Sequence, residues 1–291
     1  MTVVEQVIEG RTRDLGDFAV RRMLPASNRQ AVGPFIFFDH MGPAVFPRGK
    51  GVDVRPHPHI GLATVTYLYD GAFLHRDSLG SRQVIRPGDV NWMVAGRGIA
   101  HSERTPGELR ATDGSSRAHG IQTWVALPLE HEDVEPSFQH HPAQELPEIR
   151  LPGARLRVIA GDAWGETSPV RVYSRTLYVD AVLDAGAVLG LTDDHPERAV
   201  YVSIGQVRID GTRYEPGQMV VFERGRTAKI ESRDASRVML LGGDSLDGPR
   251  HVWWNFVASS RERIDRAKAD WREERFAPVP GDPERIPLPE N

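Results

Sequence analysis

Cysteine is absent from the 291-residue chain. Disulfides and thiolate metal sites are thereby excluded, and any bound metal must be held by His, Asp or Glu. The absence fits a reducing compartment, and the expected location is cytoplasmic. There is also no apolar run approaching the roughly 18 residues that mark a membrane-spanning helix, so no membrane partner is expected. The first residues, Met1 to Val7, show no basic stretch followed by an apolar one, and no secretory signal is read from them. Basic residues are not in surplus. The 36 Lys and Arg against 40 Asp and Glu give a formal charge of −4, which argues against direct nucleic-acid binding.

The composition is otherwise that of a globular protein, with 40% hydrophobic and 26% charged residues. The 28 Gly and 22 Pro favour short strands joined by turns. Val3 to Ile8 reads as an edge strand, and Phe18 to Leu24 as a second. Gly33 to Pro43 is an apolar strand closed by turn residues. Ala63 to Tyr69 is β-branched and aromatic and ends at the turn signal Asp70-Gly71. Phe73 to Asp77, Gln83 to Ile85, Val90 to Ala95 and His119 to Pro128 continue the series. Regular short strands with turn signals predict an all-β fold, an antiparallel sandwich or barrel rather than a βαβ arrangement.

From His131 to Pro152 the periodicity fades, and a linker or an irregular connection is expected. A second strand-rich block, about Leu156 to Leu241, echoes the first in its turns. Glu215-Pro216-Gly217-Gln218 parallels Arg86-Pro87-Gly88-Asp89, and Arg224-Gly225 parallels Arg97-Gly98, as in an internal repeat. The expected division is residues 1–135 and 136–291. Beyond Ser259 the pattern becomes helical. Ser259 is the expected cap, Glu262 completes a capping box, and Ile264, Ala267, Lys268 and Trp271 share a face. Residues 282–291 are proline-rich and expected to be extended.

The chemistry concentrates between Arg55 and Pro106. His57 and His59 are two apart, as are His101 and Glu103. In a strand, such pairs project to the same side. If the two strands lie across from each other, three imidazoles and a carboxylate converge, a set suited to one divalent transition metal. The ligand types accept iron, manganese, nickel, copper or zinc. The second block has no such set. Lys229 and Glu231 stand roughly where His101 and Glu103 would be, and His195 reads as a surface loop residue. His75, His119 and His251 read as structural. His40 and Gln122 are candidates to reach the pocket, and Phe37, Trp92 and Met93 to wall it.

Gly51, His57-x-His59 and Gly71 match the first cupin motif in outline, and Pro87-Gly88-Asp89 with Gly98-x-x-His101 match the second. Adding Phe37-Phe38-Asp39-His40, Arg55-Pro56-His57-Pro58-His59, Ala95 to Glu103, Gln122-Thr123-Trp124 and His251 to Phe256, the chain resembles the pirin family of bicupins over nearly its whole length. The resemblance implies two stacked cupin (jelly-roll) domains with a C-terminal helix. It implies one metal, Fe(II) foremost, in the N-terminal domain on His57, His59, His101 and Glu103. The general cupin motif places a Glu a few residues after His-x-His. Here Leu62-Ala63-Thr64 fill that region, so the carboxylate falls to Glu103. The family further implies a quercetin 2,3-dioxygenase-like activity on flavonols or other phenols with dioxygen, in which Glu103 is ligand, general base or both. The alternative it implies is a redox-sensing regulator that binds a transcription factor or metabolic enzyme. A zinc hydrolase fits poorly, because Gly61 stands where such sites often add an Asp.

Overall fold

The structure is a computed structural model that describes residues 2–14, 18–111 and 116–290. It is built from antiparallel strands and one α-helix, Arg261–Arg272. Its contacts divide it into two compact units. One comprises residues 14–20, 41–143 and 247–291, the other residues 1–13, 21–40 and 144–246. The division differs from the linear boundary at 135/136. The ends of the chain are exchanged: the N-terminal strand Val4–Glu9 pairs with Gln218–Phe222, and the C-terminal helix counts with residues 41–143.

The unit containing residues 41–143 has two sheets. One runs in the order Asp53–His59, Ile99–Arg104, Phe73–Asp77, Arg82–Ile85. The other begins Ser137–His141, Val90–Val94, Leu62–Gly71, Ser116–Ala126, and continues into the strand Phe35–Phe46, of which residues 41–46 belong to this unit. The strand Ser137–His141, paired with Val90–Val94, lies in the stretch expected to be linker. Val52, Leu68, Phe73, Ile85 and Ala118 are buried between the turns and sheets. At about 25 cal/mol per Å² of apolar surface removed from water, such burial is the main term holding two sheets together.

The unit containing residues 144–246 repeats this plan strand for strand. Its small sheet runs Val188–Leu191, Ala228–Ser232, Val207–Ile209, Thr212–Tyr214, and its large one contains Gln218–Phe222, Glu197–Ile204, Ser236–Gly243, Thr176–Leu183 in that order. The repeat read from the turns is therefore present, but its phase differs. In the first unit His57 lies opposite His101. In the matching ladder Leu189 lies opposite Ile230, and both are in the apolar core. Lys229 and Glu231 are exposed. The turn before Ala228 (223–227) is one residue longer than that before Ile99 (95–98), and a one-residue slip moves every side chain to the opposite face. His195 is also corrected. It is buried, 4% exposed, with Nε2 at 3.7 Å from Asp162 Oδ1.

The helix is capped one residue later than expected. Ser260 accepts from the Arg263 N–H at 3.3 Å, while Ser259 donates to Glu132. Ile264, Ala267 and Trp271 are its buried face and pack with Ile60, Ala100, Phe256 and Val279. This apolar stripe explains why the helix joins the first unit. Ile60 and Ala100 are chain neighbours of His59 and His101, so the C-terminal segment backs the strands that carry the site. No helix among the described residues is long and apolar enough to cross a membrane.

Candidate metal centre

His57 and His59 end the strand Asp53–His59, and His101 lies opposite His57 on Ile99–Arg104. The ladder slips between His101 and Glu103, because His101 faces His57 but Glu103 faces Val54. The extra residue falls at Arg55-Pro56. Proline has no N–H for the ladder and is tolerated at such a bulge. The Arg55-Pro56-His57 run is thus the local reason that the strand kinks just before its first histidine.

The ring nitrogens of His57, His59 and His101 come together, one from each residue, all within 4.8 Å of one another. His57 Nδ1 donates to the Arg55 carbonyl at 2.9 Å. His59 Nδ1 donates to the Asn255 carbonyl at 3.1 Å. A carbonyl can only accept, so in the neutral rings the proton is on Nδ1 and the lone pair on Nε2. His101 Nε2 is buried with no hydrogen-bond partner. Burial lowers the pKa of His57, and those of His59 and His101 well below the ordinary imidazole value; the neighbouring rings push His59 and His101 further down. Three neutral imidazoles with a ring nitrogen of each brought together fit a divalent transition metal, and an orphaned buried nitrogen is what such a group leaves when considered without its ion.

Glu103 does not enter the group within 4.8 Å. Its carboxylate is buried and held from the facing sheet, where Thr66 Oγ1 donates to Oε1 at 2.6 Å and Gln122 Nε2 to Oε2 at 2.9 Å. Of the other candidates, Gln122 reaches the site through Glu103. Thr64 pairs with Met93 and Trp124, and Thr66 with Gln122. Cross-strand partners share a face, so Met93 lies on the face of Thr66 and Gln122, while Trp92, one residue away, lies on the other. Trp124 stands on the site's face instead, its ring edge-on to His59 at 5.3 Å. His40 and Phe37 do not join this group. His40 bonds Tyr201 at 2.7 Å, and Phe37 stacks under the Arg22 guanidinium. His119 packs edge-on against Tyr69.

Two contributions lie outside the site as read from the sequence, where His75 and His251 are taken as structural. His75 and Asp77 lie beside His101 and are treated below. The hairpin His251–Trp253 and Phe256–Ala258 supplies the Asn255 carbonyl to His59, and the Val257 N–H donates to the Ile60 carbonyl at 3.2 Å. The hairpin follows the site strand by almost 200 residues, which is why local pattern does not reveal the contact.

A repeated cupin plan with a three-imidazole centre in one unit defines a bicupin. Comparison with known proteins narrows this. The Pirin family profile matches residues 17–125, and the Pirin C-terminal cupin domain profile matches residues 178–277. A pirin-like protein of Caulobacter vibrioides is 50% identical over 293 aligned positions, covering 99% of this chain and all of the relative. A solved structure of quercetin 2,3-dioxygenase from Acinetobacter baumannii superposes with a TM-score of 0.90 at 34% identity, covering 98% of this chain and 95% of that one. A bacterial pirin of Escherichia coli, solved in complex with nickel(II), shares the fold at 19% identity, with a TM-score of 0.65 and coverage of 83% and 99%. The chain belongs to the pirin family.

Proposed function

We propose that this protein is a metal-dependent dioxygenase of flavonols such as quercetin or of related phenols, with the metal held by His57, His59 and His101 and with Glu103 as the fourth ligand, the general base or both. The observation that carries the reading is the convergence of three imidazoles, two of which give their Nδ1–H to backbone carbonyls, with His101 Nε2 buried and unpaired. The quercetin 2,3-dioxygenase name of a structural relative at 34% identity supports the substrate class. Iron(II) is the proposed metal, with manganese, nickel, copper and zinc as the other ions this ligand chemistry accepts.

Bound there, the metal supplies a redox-active Lewis acid that lowers the pKa of a phenolic hydroxyl. The chain's own residues do the rest. Thr66 and Gln122 fix the two oxygens of Glu103, so its carboxylate is oriented before substrate arrives. Glu103 accepts the acidic hydroxyl proton as that oxygen approaches the site. Met93 and Trp124, both buried, make the facing sheet apolar beside the imidazoles and exclude water there. With a flavonol the overall change opens the ring: the O–O bond and both C–C bonds of the carbon that bears the hydroxyl break, that carbon leaves as carbon monoxide, and each of its two former carbon neighbours takes one oxygen atom of the dioxygen.

The test is metal analysis of protein purified without chelator, followed on the same sample by oxygen uptake with quercetin. One redox metal per chain and oxygen consumption, both lost in His101→Ala, are expected. Turnover that persists in metal-depleted His101→Ala protein overturns the mechanism. Metal without uptake of oxygen for any phenol favours the family's other implied role, a redox-dependent contact with a regulatory protein or enzyme.

A further inference from the structure

His101 differs from its two companions. His57 and His59 each give their Nδ1 proton to a backbone carbonyl, which fixes the tautomer outright. The partner of His101 Nδ1 is another ring nitrogen, His75 Nδ1, at 3.5 Å. A ring nitrogen can donate or accept, so this contact leaves the tautomer open. The ambiguity is resolved one step further out. His75 Nε2 lies 3.0 Å from Asp77 Oδ2. Asp77 is fully buried, and its other oxygen, Oδ1, accepts the N–H groups of Leu79 at 2.9 Å and Ser81 at 3.0 Å. An ionised carboxylate only accepts, so a neutral His75 ring carries its proton on Nε2 and presents a lone pair on Nδ1. His101 must then place its proton on Nδ1, and its lone pair falls on Nε2, the buried atom that has no other partner.

We propose that Asp77 and His75 are positioning residues, a carboxylate–imidazole relay that sets the tautomer of His101 and thereby makes it a metal ligand. The inference rests on the metal reading of the three-imidazole site. The strand register places the relay. His101 lies opposite Asp77, and Glu103 opposite His75, so His75 reaches His101 diagonally across the ladder. Its ring is held flat against Phe138, with centroids 4.3 Å apart and planes 10° apart. Metal-bound imidazoles are commonly oriented in this way by a group on the second nitrogen; here a second imidazole carries the direction inward from the carboxylate.

The relay predicts a specific reversal in Asp77→Asn. The two backbone donors, Leu79 and Ser81, keep the amide oxygen on their side, so the amide nitrogen faces His75. That nitrogen donates to His75 Nε2, His75 donates from Nδ1 to His101, and the His101 proton is forced onto Nε2. His75→Gln, by contrast, retains an acceptor for His101 and a donor for Asp77, whereas His75→Leu removes both.

The test uses the full-length chain and two readouts. The first is long-range proton–nitrogen NMR of the histidine rings in the metal-free protein. The expected result is His101 protonated on Nδ1 in wild type and on Nε2 in Asp77→Asn. The second is zinc affinity by competition with a chelator, and the expected loss is about 10- to 100-fold in Asp77→Asn, little in His75→Gln, and intermediate in His75→Leu. A wild-type His101 protonated on Nε2 overturns the relay. So does Asp77→Asn binding zinc as wild type does, or His75→Gln falling as far as His75→Leu. Should Asp77→Asn fail to fold, the wild-type tautomer and the contrast between the two His75 variants decide. If wild type takes up no zinc, the metal reading fails, while the NMR still reports on the relay.

Discussion

Substituting Gly61 by Ala tests how the C-terminal hairpin supports the site. Gly61 has φ +69°, and a Cβ added there meets the Val257 carbonyl oxygen at 2.0 Å. Both atoms are on or next to backbone, so no flexible side chain can give way. The left-handed conformation costs an L-residue about 1–2 kcal/mol. Relieving the contact moves the hairpin from the site strand and removes the Val257 N–H bond to Ile60, and the shift at residue 61 strains its bond from Leu127 N–H, 3.1 Å. At about 1 kcal/mol each, the total reaches roughly 3–4 kcal/mol, or a fall in melting temperature of roughly 10 °C for a unit of this size. Asn255 moves with the hairpin, so His59 loses its Nδ1 acceptor, and zinc affinity falls by about tenfold or more. Gly49→Ala is the control: φ is +79° and nothing lies within 4 Å, so it loses only the conformational part and binds zinc normally. Calorimetry of the metal-free proteins and chelator competition measure both effects. If Gly61→Ala melts no lower than Gly49→Ala and binds zinc as wild type does, the hairpin does not support His59 in the way described.

Three further outcomes follow from the geometry. Trp271→Ala removes a buried ring that also donates Nε1–H to the Ile286 carbonyl at 3.0 Å; denaturant titration should show a loss of about 3–5 kcal/mol, and a loss below about 1 kcal/mol would mean that the helix is not anchored by this residue. Glu103→Gln keeps the size of the side chain but not the base, with the Gln122 amide turned so that its oxygen accepts from the new amide, so oxygen uptake with quercetin should fall by about 100-fold or more while the chain still takes up metal; unchanged uptake removes Glu103 from the reaction. The pKa values of His57, His59 and His101 are lowered on folding, so below the ordinary value near 6.5 the unfolded chain binds protons that the folded metal-free chain resists. Its melting temperature should therefore be level above about pH 7 and fall as pH drops toward about 5, with a shallower fall in His59→Gln; an equal fall in that variant assigns the pH dependence elsewhere.

The parts of the site legible in the sequence are those fixed by strand period alone. His57 with His59 and His101 with Glu103 are two apart, and that spacing puts each pair on one face whatever the rest of the chain does. Yet the same spacing occurs a third time, at His75 and Asp77. It passed as structural because only ladder register brings His75 diagonally to His101, and register depends on which strands pair. The same ignorance of register put Trp92 rather than Trp124 on the site's wall, and one extra turn residue put Lys229 and Glu231, rather than the inward-facing Ile230, in the place of the ligands. The exchange of chain ends was invisible for another reason. The contacts that tie residues 247–291 to the site strands join residues about 200 positions apart, and the helix shows in sequence only that it has an apolar face, not which surface that face covers.

This division has a consequence for how the site can vary. The three imidazoles owe their common direction to acceptors of two kinds: two are backbone carbonyls, of Arg55 and Asn255, and the third, in the proposed relay, is a side chain, His75. A backbone carbonyl survives substitution of its own residue, so His57 and His59 keep their tautomers as long as the bulge and the hairpin keep their shape. His101 has no such protection, because changing the side chain at 75 or 77 changes what its Nδ1 meets. The second unit, with the same strand order but Leu189 and Ile230 across the matching ladder, shows that the scaffold folds around apolar side chains at these positions. The three imidazoles and the His75–Asp77 pair are therefore additions to a plan that folds without them, and their burial, which pulls all three imidazole pKa values down, is a cost that the proposed metal would offset.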